Sequence, residues 1–334
     1  MKQDTAFQTA KPRRRRIWNV LAAIVIVLIV VSIVLYDPRK IGYWRSPEGQ
    51  QAYEAAYAEA MQVLPPPTQT HDIPTAYGTV RVYAWTNAQT ASKTPAIFLP
   101  GRASGVPMWE NNLPAIAATR PVYALDALGD AGLSQQTAVL NDGADQAAWL
   151  DQVLSALELE SVHLIGHSFG SWSAANYAAR YPQRVATLLL IEPVFTFQGL
   201  KLDMYIKSIP ASLPFLPQAW RDSLLKDIGG TDEIDLNDPL TRMIVVGTEH
   251  YAAKLPTPEQ LAPEQLSSWD MPVFAAMAGK SALHDGAAAV VVANENVKQV
   301  QAKLWPDATH SLPMEVAAEL NAEMIAFMEA NEPR

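Results

Sequence analysis

Residues Ser161–Gly170 read SVHLIGHSFG: an apolar run that breaks into Gly166, His167, Ser168, Phe169 and Gly170. The run predicts a buried strand, and the SWSAANYAARYP that follows predicts a helix. A serine in G-x-S-x-G between a strand and a helix has the pattern of a nucleophile elbow. A backbone turned that sharply is strained, and its flanks approach so closely that residues without a Cβ suit both ends. Ser168 is therefore a candidate nucleophile. The plainer reading of the pentapeptide alone is a serine in an ordinary glycine-flanked turn.

Working outward, Ala96–Leu99, Val122–Leu125, Val162–Ile165, Leu188–Ile191 and Val273–Met277 are compact apolar runs of the kind that form buried parallel strands. Helical patterns lie between them at Asn111–Thr119, Asp145–Leu157, Ser171–Tyr181 and Ala287–Val300. Asp72–Thr86 alternates through Val80, Val82 and Ala84 around Gly78 and predicts a hairpin. Strand–helix alternation of this extent predicts an α/β fold with a doubly wound, mostly parallel sheet. Between Phe195 and Asp270 the rhythm stops, and the segment carries Phe197, Tyr205, Phe215, Trp220, Tyr251 and Trp269. It reads as a helical cap at about 196–270 over the strand ends, its aromatics lining a pocket or forming a small core of their own. The acidic run Asp227–Asp238 lacks calcium-loop spacing and reads as a solvated loop.

The formal charge of −9 is unevenly distributed: Lys2, Lys11 and Arg13–Arg16 against Asp4 give residues 1–16 a charge of +5 and the remainder −14. An acidic folded part argues against nucleic-acid binding. Ile17–Tyr36, IWNVLAAIVIVLIVVSIVLY, has no charged residue and is long enough to cross ~30 Å of hydrocarbon as a helix. It is too long for a signal-peptide core, and LYDPRK follows where a cleavage site would stand. The excess of cations before it predicts a cytoplasmic N-terminus and a large domain outside. Pro47–Leu64, with Tyr53 and Tyr57 one turn apart, predicts a juxtamembrane helix ending at Pro65–Pro67. The expected organisation is a basic tail (1–16), a transmembrane helix (17–36), a juxtamembrane helix and linker (37–71) and an α/β domain (72–334). Cysteine is absent, which excludes disulfides and thiolate metal sites.

An acyl-transfer serine needs a base, a carboxylate to orient it and donors for the oxyanion. His310, in THSLPMEVAAELNAEMIAFM, sits in a loop between an apparent last strand and a C-terminal helix, which suits a base. His71 precedes the hairpin, His163 lies within a strand, His167 is the variable residue of the pentapeptide, His250 is in the cap and His284 follows a late strand. His163 and His167 have metal-pair spacing for a helix but lie on a strand and its turn, so no metal site is expected.

With these residues in place, the chain from about Asp72 onward resembles the α/β-hydrolase family. IFLPGRASG stands where that family has its oxyanion loop, YALDALGDAGLS where it has an Asp/Gly-rich loop, GHSFG at its elbow and THSLPMEV at its histidine. The resemblance implies that the amides of Phe169 and Arg102 are the oxyanion donors, although Pro100 replaces the usual histidine before Gly101. The Arg102 side chain reads either as a binder of an anionic substrate group or as a surface charge. The family's usual acid position, counted from Gly279, holds Ala282, leaving Asp285 as a displaced substitute or Glu192 at an earlier strand end, where a minority of members carry the acid. Glu192 is preferred, with Asp285 as the alternative. The expectation is a membrane-anchored serine hydrolase acting on a small ester-like substrate without cofactor. Alternatives are a peptidase, thioesterase or cofactor-free haloperoxidase on the same triad, or a non-catalytic binding domain on the same scaffold.

Overall fold

The computed structural model describes residues 38–211 and 217–333. The expected tail and transmembrane helix, 1–36, lie outside the described residues. Among those described, no helix is long and apolar enough to cross a membrane. Ile41–Arg334 forms one compact unit.

In chain order the unit begins with β1 (Tyr43–Trp44), α1 (Pro47–Ala60) and the hairpin β2 (Gln69–Thr75) and β3 (Gly78–Trp85). The alternating part follows as β4 (Ala96–Leu99), α2 (Leu113–Ala117), β5 (Val122–Leu125), β6 (Gln135–Gln136), α3 (Gly143–Ala156), β7 (Val162–His167), α4 (Phe169–Arg180) and β8 (Val185–Ile191). Then come α5 (Leu202–Ala211), α6 (Gln218–Gly229), α7 (Pro239–His250), β9 (Tyr251–Ala252) and α8 (Pro263–Ser267). The chain closes with β10 (Val273–Ala278), α9 (Gly286–Asn296), β11 (Val300–Trp305), α10 (Leu312–Glu315) and α11 (Ala317–Ala330).

The main sheet runs β11-β10-β8-β7-β4-β5-β3-β2, with β6 joined to β3. Every pairing from β11 to β5 is parallel, and β3 pairs antiparallel with β5, β2 and β6. Side chains alternate between the faces of the parallel strands. Leu188 and Leu190 pack towards Trp149, Leu150 and Trp172 of α3 and α4, whereas Leu189 and Ile191 share a core with Leu113, Leu320 and Met324 of α2 and α11. Burial on both faces is why these strands are continuous apolar runs. The chain leaves β4 to one side for β5 and returns on the other side as β7. The crevice at the C-terminal ends of β4 and β7 is therefore the topological switch point, where open α/β sheets bind ligands.

Two expectations need correction, and a third is narrowed. The segment set apart as a juxtamembrane linker belongs to the folded unit: Tyr53, Ala56, Tyr57 and Ala60 of α1 are buried, and β1 pairs with β9. A helical pattern shows that an apolar stripe exists without showing what covers it. The helix expected to reach Val300 ends at Asn296, and Val300 instead opens β11 in parallel register with Val273. The run AAAVVVAN has no periodicity to mark its end. Of the two readings left open for the aromatics of the cap region, which among the described residues is built of α5–α8, a small core holds for part of them, and Phe215 lies outside the described residues. Phe197 and Trp269 are buried in edge-to-face contact, Tyr251 packs on Trp44, and Tyr205 and Trp220 are exposed.

Asp126, at the end of β5, holds the loops that frame the crevice. Its Oδ1 accepts from the Val106 amide at 3.0 Å and the Tyr57 hydroxyl at 3.1 Å, and its Oδ2 accepts from the Leu133 amide at 2.7 Å. The Ser134 hydroxyl donates to the Asp126 carbonyl and accepts from the Arg81 amide. Burial pushes the Asp126 carboxyl up to about 6. Asp126→Ala would leave the buried Val106 amide and the half-buried Leu133 amide unpaired, at roughly 1–3 kcal/mol each. Urea unfolding should therefore register a loss of at least about 2 kcal/mol.

Candidate active site

At the end of β7 the chain reverses at Ser168, whose φ of 55° and ψ of −118° lie in the left-handed half of the map, and it enters α4 at Phe169. The glycines permit this by close approach. A Cβ on Gly166 would fall 2.4 Å from the Gly170 carbonyl oxygen, and one on Gly170 would fall 2.2 Å from that of Leu99 and 2.5 Å from that of Pro100. Those obstacles are backbone and cannot rotate away. The Ser168 amide donates to the Ile191 carbonyl at 3.0 Å, and the Ser171 hydroxyl beneath the turn donates to the Gly166 carbonyl and accepts from the Ile191 amide. Ser171 was not singled out from the sequence, where it reads as one more small helical residue.

The stretch after β4 lies across from this turn. A Cβ on Gly101 would be 3.4 Å from Ser168 Cβ and 3.1 Å from His167 Nδ1, so the Pro-Gly pair borders the serine directly. The Phe169 amide is the first N–H of α4 and has no acceptor within the helix. Arg102 does not present its charge as a free anion site. Its Nε is 3.3 Å from Asp130 Oδ2, which also accepts from the Ala103 amide, and its guanidinium lies 5.3 Å from the centre of the Phe169 ring.

Glu192 follows β8 directly, is fully buried and has a φ of 47°. Its amide donates to the Ala276 carbonyl at 2.8 Å, and its Oε1 accepts from the Ala278 amide at 2.6 Å. Its Oε2 lies 3.0 Å from His310 Nδ1, an imidazole that is itself 4% exposed. With a carboxylate facing Nδ1, that nitrogen carries the proton and donates, leaving Nε2 as the basic nitrogen. The His310 loop is held from several sides. Its own carbonyl accepts from His167 Nε2 at 2.9 Å, and the two rings lie 4.7 Å apart. Thr309 donates through its amide and its hydroxyl to Glu315, and the Ser311 hydroxyl donates to the Gly229 carbonyl in the cap.

Asp285 stands elsewhere: it is exposed, and its Oδ1 caps α9 by accepting from the Ala288 amide at 3.0 Å. The structure thus brings Glu192 and not Asp285 to His310. His163 is a core residue, its Nδ1 2.7 Å from the Thr187 hydroxyl and its Nε2 3.4 Å from Glu332. In the acidic run, Asp238 caps α7 by accepting from the Thr241 amide. Among the described residues there is no cluster of ligands that could hold a metal ion.

A family profile described as the alpha/beta hydrolase fold matches residues 94–286. The chain belongs to the α/β-hydrolase family. This α/β-hydrolase is 28% identical over 287 residues to the carboxylesterase YbfK of Bacillus subtilis, covering 84% of this chain and 94% of the relative. To the uncharacterized carboxylesterase nap of the same organism it is 23% identical over 285 residues, covering 83% and 92%. The crystal structure of the carboxylesterase CesB (YbfK) from B. subtilis superimposes with a TM-score of 0.77 at 26% identity, covering 84% of this chain and 98% of that one. The likeness extends over nearly the whole length of these carboxylesterases.

Burial pushes the histidines of this α/β-hydrolase down from their ordinary value, His163 to about 4 and His167 and His310 to about 3, with His284 also lowered. All four therefore stay neutral in the fold at pH values where the unfolded chain protonates them, near 6.5. Below pH 6.5 the unfolded state binds more protons, so stability falls with pH. Asp126, raised to about 6, partly opposes this because the folded state takes up its proton first. Urea titrations at intervals from pH 7 to pH 5 should show stability falling as the pH falls, by about 3 kcal/mol per pH unit below pH 6, and a flat profile would contradict the burial of these rings as neutral groups.

Proposed function

We propose that this chain is a membrane-anchored serine hydrolase that cleaves carboxylic esters through an acyl-enzyme on Ser168. The observation that carries the proposal is the 3.0 Å contact of buried Glu192 with His310 Nδ1, at the crevice where the left-handed turn presents Ser168. In this mechanism His310 Nε2 takes the Ser168 hydroxyl proton as Oγ attacks the ester carbonyl. The amides of Phe169 and Arg102 hold the oxyanion, and the Glu192 carboxylate stabilises the imidazolium. Collapse of the tetrahedral intermediate expels the alcohol, which takes the proton from His310. Water, deprotonated by His310, then attacks the acyl-enzyme and releases the acid and the free serine. The full-length likeness to carboxylesterases of B. subtilis supports an ester as substrate.

Membrane attachment is part of the same proposal and is supported by the uncharged stretch 17–36 and the cations before it. It places the N-terminus in the cytoplasm and the hydrolase domain outside. Protease added to intact spheroplasts should degrade the domain, and protection until lysis would reverse the orientation.

A fluorophosphonate probe should label the wild-type protein and not Ser168→Ala, and p-nitrophenyl ester hydrolysis should disappear with the label. Labelling that survives Ser168→Ala overturns the mechanism. Glu192→Gln should lower kcat by on the order of 10³–10⁴, because an amide no longer stabilises the charged ring or fixes its tautomer. Asp285→Ala should remove only a helix cap, costing about 1 kcal/mol of stability and leaving kcat unchanged.

A further inference from the structure

His284 is a buried imidazole that the proposed mechanism does not use. Its side chain is fully buried, and neither ring nitrogen makes a hydrogen bond of full geometry among the described residues. Its Nε2 lies 3.5 Å from Glu192 Oε2, the same oxygen that faces His310 Nδ1 at 3.0 Å. The loop between β10 and α9, where the family's usual acid would stand, thus brings a second imidazole to a carboxylate supplied by β8. A fully buried carboxylate is costly unless donors surround it. Glu192 has the Ala278 amide on one oxygen and two imidazoles on the other.

We propose that His284 is a positioning residue acting through Glu192: its Nε2–H is a third donor to the carboxylate and limits how strongly Glu192 holds the His310 imidazolium. The inference rests on the Ser168–His310–Glu192 mechanism above. At 3.5 Å the His284 contact is longer than a full N–H···O bond, so His310 keeps the stronger claim on Oε2. The His284 donor nonetheless draws charge from that oxygen. The groups facing His284 are few. Glu192 comes from the end of β8 and His310 from the loop after β11, the Asp285 backbone lies beside the ring, and Lys201 donates through Nζ to the Ser281 carbonyl at 2.7 Å. Of these, Glu192 and the Asp285 backbone favour the protonated His284 ring, while Lys201 and His310 oppose it. Burial also opposes it, so His284 serves as a neutral donor.

Removing the donor concentrates charge on Oε2 and strengthens its hold on protonated His310, so the acid limb of kcat/KM should move to higher pH. The test measures p-nitrophenyl ester hydrolysis against pH for the full chain and for His284→Phe and His284→Gln. Phenylalanine fills the space without a donor, and glutamine supplies an N–H that does not titrate. The limb should rise by about half to one pH unit in His284→Phe and return to the wild-type position in His284→Gln. A His284→Phe limb that coincides with wild type while its melting temperature falls would assign His284 a packing role and overturn the proposal. Equal shifts in both variants would overturn it as well. If His284→Phe does not fold, the glutamine variant decides alone: an unmoved limb with near wild-type kcat supports the donor role, and a moved limb refutes it. These outcomes are separate from failure of the underlying mechanism, which would appear as wild-type activity that survives Ser168→Ala.

Discussion

Three stretches of backbone meet at the end of β7 with no room for side chains between them: Gly166 against Gly170, and Gly170 against the carbonyls of Leu99 and Pro100. That contact sets the positive φ of Ser168, the starting point of α4 and the separation between β7 and the Pro-Gly pair after β4. Because β4 and β7 flank the point where the strand order reverses, the strained turn opens into the crevice at that switch point. The strain is sustained by its surroundings, with Ser171 bonded beneath the turn and the Ser168 amide bonded to Ile191.

A second strained residue completes the arrangement. Glu192 leaves β8 with a left-handed backbone and no solvent, and its charge is met by the Ala278 amide and the His310 ring. The carboxylate belongs to a strand neighbouring the serine, and the imidazole to a loop from a strand further out in the sheet. Their meeting therefore depends on the register of β8, β10 and β11 as well as on the loops themselves. His167 adds a further constraint, since the residue before the nucleophile holds the backbone carbonyl of the base. A variable position in the motif thus has a specific contact to make.

Much of this fold was legible because buried parallel strands and amphipathic helices leave different patterns. Ala96–Leu99 and Val122–Leu125 appear at the bounds read from their apolar runs. The failures have equally physical grounds. Residues 47–60 show a stripe with Tyr53 and Tyr57, but its cover comes from α7, almost two hundred residues away in sequence. The valine and alanine run of α9 carries no period to reveal its end at Asn296. The cap's aromatics divide between core and surface according to helix packing, which composition does not encode.

The sequence alone determined the elbow, because a sharp strand-to-helix turn permits only glycine at its close contacts, and that requirement is local. It determined the candidate base on similar terms, from a histidine in a loop ahead of a helix. The acid was different: the sequence prefers Glu192 but leaves Asp285 open, each an acidic residue beyond the end of a core strand. Only the tertiary structure separated them, because Asp285 spends its carboxylate on its own helix while Glu192 is buried against His310. The same holds for His284, whose place behind Glu192 follows from the pairing of β8 with β10. Contacts within a few residues are written in sequence, whereas contacts between strands exist only once the sheet has assembled.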